Sequence, residues 1–75
     1  MLSKTSEALR KIRMEQGMYR TEFAELIGVS VFTYRTWEMG TREMSLSNIV
    51  KVCDALDIPY DELIIPRIHD IKHNT

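Results

Sequence analysis

Cys53 is the only cysteine in the 75 residues, and the two histidines, His69 and His73, stand four apart near the end of the sequence. One thiol can form neither an intramolecular disulfide nor a thiolate-rich zinc site, and on an apolar helix face it reads as a small buried hydrophobe. The two imidazoles would share a face, and could share a metal, if their segment were helical. Two ligands without a nearby third leave a disordered tail as the plainer reading. No Cys/His, Ser/His or carboxylate set has a credible cleft in so short a chain, so no catalysis, metal or cofactor is expected. Arg13 and Glu38 carry a different chemistry: both fall on or near core-facing stripes, where a charge is costly unless it is paired.

Length and composition set the frame for these side chains. A single domain of this size buries only about 60–65% of its unfolded surface, which leaves little room for a cofactor crevice or an effector pocket. The apolar share of 44% and charged share of 28% are those of a globule and argue against disorder. Three glycines and two prolines are too few for a many-turned β-sandwich. The start, Met1-Leu2-Ser3-Lys4-Thr5-Ser6-Glu7, has no secretory character, and no apolar run reaches the ~18 residues of a membrane span. A cytoplasmic protein is expected.

Punctuation divides the chain into five short helices. Leu9 and Ile12, with Ala8 beside them, mark a first helix from Ser6 to Gln16, stopped at Gly17 and packed by Met18. Phe23, Ala24 and Ile27 form the stripe of a second, closed by Gly28, with Ser30 as N-cap of a third that turns Tyr34 and Trp37 inward and ends at Gly40. Ser45 caps a fourth whose apolar face is Leu46, Ile49, Val50, Val52, Cys53 and Leu56. Pro59 suits the start of a fifth through Ile64, and Pro66 is expected to prevent its smooth continuation. The second and third helices are joined by a three-residue turn beginning with Gly28, the layout of a helix-turn-helix. Val31, Phe32, Thr33, Arg35 and Thr36 are left pointing outward on the third.

With Leu9-x-x-Ile12-Arg13, Gly17-Met18, Phe23-Ala24-x-x-Ile27-Gly28-Val29-Ser30, Trp37-Glu38-x-Gly40 and Leu46-x-x-Ile49 through Ala55-Leu56, the chain resembles the phage repressor and Cro-like helix-turn-helix proteins, the Xre family. The match runs from about Leu9 to Leu63. The resemblance implies an all-α, five-helix, lambda-repressor-like domain that binds double-stranded DNA, its third helix in the major groove and usually as a dimer. It also implies roles. Val31, Phe32, Thr33, Arg35 and Thr36 match base-facing positions, with Arg35 able to pair with guanine and Val31 or Phe32 able to pack on thymine methyls. Tyr19, Arg20, Thr41 and Arg42 match positions that hold the phosphate backbone. Arg13 and Glu38 match a salt bridge between the first and third helices.

The chain departs from the family pattern in three places. Tyr19 and Arg20 replace the usual Ser or Thr followed by Gln, leaving open whether Thr21 caps a shortened second helix or Tyr19 faces the DNA backbone. Val31 and Phe32 carry no hydrogen-bond code, so they suit either thymine-rich DNA or a protein partner. Past the domain, taken as residues 1–66, the tail 67–75 is either a dimerisation extension or disordered. Ile64, Ile65, Ile68 and Ile71 recur at near-helical spacing and suggest a dimer surface, or else some of them simply cover the base of the domain.

A net charge of -1 looks wrong for a nucleic-acid partner until it is divided along the chain. Residues 1–53 hold eight basic and six acidic side chains, and residues 54–75 two basic and five acidic. The acidity lies in the part that the family points away from DNA. Few phosphates are neutralised per subunit, so useful affinity calls for two copies. The leading expectation is a bacterial or phage-encoded, nucleoid-associated regulator, a repressor or controller, that occupies operator DNA as a homodimer. With no small-molecule ligand or effector domain expected, control would come from concentration, dimerisation or a regulatory protein partner. The alternative is the same scaffold used as a protein-interaction module through Val31 and Phe32.

Overall fold

Serine side chains start three of the helices. In the computed structural model, which describes residues 3–73, the order is α1 (Lys4–Glu15), α2 (Arg20–Ile27), α3 (Val31–Met39), α4 (Leu46–Leu56) and α5 (Asp61–His73), with no strand among the described residues. Ser3 accepts from the backbone N–H of Ser6, Ser30 from that of Thr33, and Ser45 from that of Asn48. Each such cap satisfies one otherwise orphaned donor and contributes about 1 kcal/mol. α1 therefore begins two residues before the expected Ser6, because Ser3 supplies the cap.

The stops are equally local. Gly28 and Gly40 close α2 and α3 in the left-handed region, at φ 77° and 76°. α4 ends on Asp57 at φ 54°, a conformation that a short polar side chain tolerates better than most.

One core unites these pieces. Leu9 and Ile12 of α1, Phe23, Ala24 and Ile27 of α2, Tyr34 and Trp37 of α3, and Ile49, Val52 and Cys53 of α4 are all buried. Met44, in the loop before α4, and Leu63, in α5, complete the cluster. The rings of Phe23 and Tyr34 tilt together at 5.1 Å, and Trp37 meets Tyr34 edge-on at 6.5 Å, a geometry that aromatic quadrupoles favour. Burial pushes the Cys53 thiol up from its ordinary value, which keeps it protonated and unreactive. Leu46 departs from its expected place on the apolar face: as the first residue of α4 it is 64% exposed.

α5 differs most from the sequence reading. It runs unbroken through Pro66 to His73, so no helix boundary falls at residue 66, and residues 67–73 are ordered helix rather than a loose tail. Proline removes the bond to the carbonyl four residues back, here that of Glu62, an exposed residue in the first turn where water can replace the missing donor. What holds the remainder in place is tertiary. Asp70 accepts from the backbone N–H of Lys4 at 2.8 Å, from that of Thr5 at 2.9 Å and from the Thr5 hydroxyl at 2.7 Å. Arg67 donates to the Met44 carbonyl and to Glu43. The first turn of α1 is thus tied to the last turns of α5, and α1 is the main packing neighbour of α5.

Candidate nucleic-acid interface

The outer face of α3 follows from its inner face. With Tyr34, Trp37 and Glu38 buried, helical geometry leaves Val31, Phe32 and Arg35 exposed, with Thr33 and Thr36 half-buried at the margins. Phe32 is 76% exposed and Val31 42%, an unusual display of apolar surface for the start of a helix. The threonines are partly engaged. Thr33 Oγ1 accepts from Ser30 at 3.0 Å, and the Thr36 hydroxyl donates to the Thr33 carbonyl. Arg35 has no ion pair among the described residues and stands open to solvent.

A left-handed Gly28 makes the turn between α2 and α3. Its N–H bonds back to the Glu25 carbonyl, Val29 N–H closes on the Ala24 carbonyl, and Val29 lies half-buried against the core. Lys51 of α4 donates to the Gly28 carbonyl at 3.4 Å, so the turn is also held from beneath.

Charge fastens α3 to α1 and α2. Arg13 of α1 donates through Nε and Nη2 to the two carboxylate oxygens of Glu38, each at 2.9 Å, and through Nη1 to the Met18 carbonyl at 2.8 Å. The Glu38 side chain is 2% exposed and that of Arg13 14%, so the pair is bidentate and largely desolvated. Burial opposes ionisation of Glu38, but Arg13, Tyr34 and Arg20 outweigh it and hold the carboxyl below its usual range. The same bond raises Arg13. Burial, with the Glu38 charge close by, pushes the Tyr34 phenol well up, and its enclosed hydroxyl has no well-formed hydrogen bond.

Arg20, matched in sequence to a phosphate position, donates through Nε to Glu38 Oε1 at 3.2 Å while its side chain stays 48% exposed. One buried carboxylate therefore holds a scaffold cation and a surface cation together. Tyr19 precedes α2 at the N-cap position, but its phenol makes no cap bond. Glu22 reaches back to accept from the Tyr19 N–H at 2.9 Å, and neither Tyr19 nor Thr21 caps α2 with its side chain. The Tyr19 ring is left 78% exposed beside Arg20. After α3, the Thr41 N–H, the Thr41 hydroxyl and the Arg42 N–H all converge on the Thr36 carbonyl. The Thr41 hydroxyl proton is thereby directed inward, whereas the Arg42 side chain is exposed.

The remaining sequence candidates lie on α5, away from these groups along the chain. Ile64 is half-buried and packs against the core, while Ile65, Ile68 and Ile71 are exposed. His69 and His73 stack with centroids 4.2 Å apart. Among the described residues no group of three or more His, Cys, Asp or Glu is arranged to hold a metal, and no helix is long and apolar enough to cross a membrane. Sequence reasoning missed Asp70 and Arg67. Their partners lie at the opposite end of the chain and in a loop more than twenty residues away, where spacing carries no signal.

Five helices around one core, with a glycine turn between a supporting helix and an exposed one, define a helix-turn-helix domain. The helix-turn-helix family model matches residues 9–63, and the chain belongs to that family, with the lambda-repressor-like fold. Among its relatives is the cryptic phage CTXphi transcriptional repressor RstR of Vibrio cholerae, 35% identical over 60 residues, an alignment covering 80% of this chain and 54% of that protein. Another is the uncharacterized HTH-type transcriptional regulator YqaE of Bacillus subtilis, 27% identical over 59 residues, covering 79% of this chain and 51% of the relative. The chain spans about half the length of both.

Proposed function

We propose that this chain is a sequence-specific transcriptional regulator that binds operator DNA as a homodimer, with α3 in the major groove. The observation that carries the reading is the exposed face of α3, held rigidly from behind by the Arg13–Glu38–Arg20 cluster in a chain of the helix-turn-helix family. Arg35 is the bidentate guanine reader, and Val31 and Phe32 pack on thymine methyls. Thr33 and Thr36 line the edge of the same surface. Tyr19, Arg20, Thr41 and Arg42 fix register on phosphates. For Arg20 the contact falls to the nitrogens that Glu38 does not hold, and Thr41 must first release the Thr36 carbonyl.

Ile64, Ile65, Ile68 and Ile71 of α5 pair the two copies, which doubles the phosphates engaged and offsets the modest charge of one subunit. A repressor is favoured, since RstR is named as a transcriptional repressor. It would act in the cytoplasm of a bacterium, on its chromosome or on that of a resident phage.

Selection of bound sites from a random duplex library at low salt tests the reading. The expected result is a two-fold symmetric site whose recovery falls steeply as salt is raised; failure to enrich any sequence refutes it. The 76% exposure of Phe32 favours one other reading, a protein-binding module using Val31 and Phe32. That surface would bind with little salt dependence and would lose its partner in a Phe32→Ala variant.

A further inference from the structure

The two threonines of α3 have opposite hydrogen-bond polarity. The Thr36 hydroxyl lies 2.6 Å from the Thr33 carbonyl. A carbonyl has no proton to give, so Thr36 is the donor in that contact and its single proton is committed. Its oxygen accepts from nothing among the described residues, which leaves both lone pairs open on a half-buried side chain at the margin of the face. In Thr33 the arrangement is reversed. Its Oγ1 accepts from the Ser30 hydroxyl at 3.0 Å while Ser30 accepts from the Thr33 N–H, so the Thr33 proton is the one left free. The other outward side chains of α3 bring no acceptor: Val31 and Phe32 are hydrocarbon, and Arg35 can only donate. Thr36 is therefore the uncommitted acceptor of this face.

Base edges in the major groove divide on the same property. Adenine and cytosine present an exocyclic amino group, N6 or N4, where guanine and thymine present a carbonyl oxygen, O6 or O4. We infer that Thr36 is a specificity-determining residue that accepts from such an amino group, and so selects adenine or cytosine over guanine or thymine at one position of each half-site. It distinguishes the two classes without separating adenine from cytosine. The Thr33 proton, by contrast, suits an acceptor, whether a phosphate oxygen or a base carbonyl. This inference rests on the DNA-reading face proposed above and adds the class of base that one residue on it accepts.

The cost of the wrong class follows from the same bonds. Guanine or thymine opposite Thr36 sets acceptor against acceptor, and pairing with either requires the hydroxyl to rotate off the Thr33 carbonyl. That carbonyl keeps the N–H that an α-helix brings to it from four residues on, so the loss is one hydrogen bond and no group is orphaned. One such bond corresponds to about threefold to tenfold in affinity, which makes the preference graded rather than absolute.

The test uses the whole chain and the site that it selects from a random duplex library. Titrations at constant salt, with each of the four bases placed in turn at every position of one half-site, should reveal one position of this kind. There adenine and cytosine bind alike, and guanine and thymine bind about threefold to tenfold more weakly. Thr36→Val keeps the branched shape and loses the oxygen, so the gap between the two classes should close. Thr36→Ser restores the hydroxyl and should restore the gap. Deleting the amino group is the direct measure: purine in place of adenine at that position should weaken the wild type about threefold to tenfold more than it weakens Thr36→Val. The base-pair bond lost with the amino group affects both chains equally and cancels in the comparison. Circular dichroism establishes that each variant is folded, and Thr36→Ala, with the same expectation, replaces Thr36→Val if that variant is not. A selected site with no position whose preference changes in Thr36→Val overturns the inference, as does a coupled position that favours guanine or thymine; both leave DNA reading by α3 standing. A chain that enriches no sequence refutes DNA reading itself, and this inference with it.

Discussion

Replacing Glu38 with alanine probes the contact on which the placement of α3 depends. Its carboxylate is nearly sealed from water and receives two 2.9 Å bonds from Arg13 and a 3.2 Å bond from Arg20. Removing one partner of a buried pair leaves the other charge uncompensated and costs about 3–5 kcal/mol. The lower end applies here, because Arg13 keeps its bond to the Met18 carbonyl and Arg20 is exposed enough to rehydrate. A domain of this length has a total stability of roughly 4–11 kcal/mol, so a loss of about 3 kcal/mol is a large fraction of it. The melting temperature should fall by at least about 12 °C, at 4–8 °C per kcal/mol for a chain of this size.

Urea unfolding followed through the single tryptophan, Trp37, and in parallel by circular dichroism provides the assay. Three further variants apportion the effect. Arg20→Ala should cost less than about 1 kcal/mol, as expected of a half-exposed partner. Arg13→Ala should cost about as much as Glu38→Ala, and the double variant clearly less than the sum of the two, since neither buried charge is then left alone. An unchanged urea midpoint in Glu38→Ala, or strictly additive losses in the cycle, would refute the reasoning.

The other predictions follow from the same contacts. Asp70→Asn removes a carboxylate that caps α1 from α5 and should cost about 1–2 kcal/mol, measured by urea unfolding at neutral pH. Burial opposes ionisation of Asp70, but its bonds from Thr5 and Lys4 prevail and hold it below the usual carboxylate range, as the cluster around Glu38 does for that residue. For such groups the unfolded chain binds protons more tightly than the folded one, so their stabilisation is complete above the unfolded values of about 4. The urea midpoint should stay level between about pH 7 and 5 and fall as pH drops below about 4, less steeply in Asp70→Asn. Gly28→Ala should cost about 1–2 kcal/mol: its added methyl would meet only Lys51 at 3.5 Å, an ordinary contact, so the loss comes from the left-handed backbone. In DNA-binding titrations, Arg35→Ala should relax preference at one base position, whereas Arg20→Ala should weaken all sequences alike and lower the salt slope by about one.

The sequence by itself determined the number of helices and most of their inner faces, because caps, glycine stops and apolar spacing act over three or four residues and are written in chain order. Ser30, Gly28 and Gly40 mark α3 unaided, and once Tyr34 and Trp37 face inward, Val31, Phe32 and Arg35 must face out. Tertiary structure decided the rest. Pro66 breaks the local rule, yet α5 continues, because Asp70 and Arg67 bind groups far away in the chain that no spacing links to them. Arg20 reads in sequence only as a phosphate-facing cation, and its bond to Glu38 exists only because α2 and α3 pack together. Leu46 satisfies the apolar period and still lies outside, because period assigns a face but not the point where a neighbouring helix stops covering it. Side-chain charges have no memory of sequence distance; only the packed core decides which of them meet.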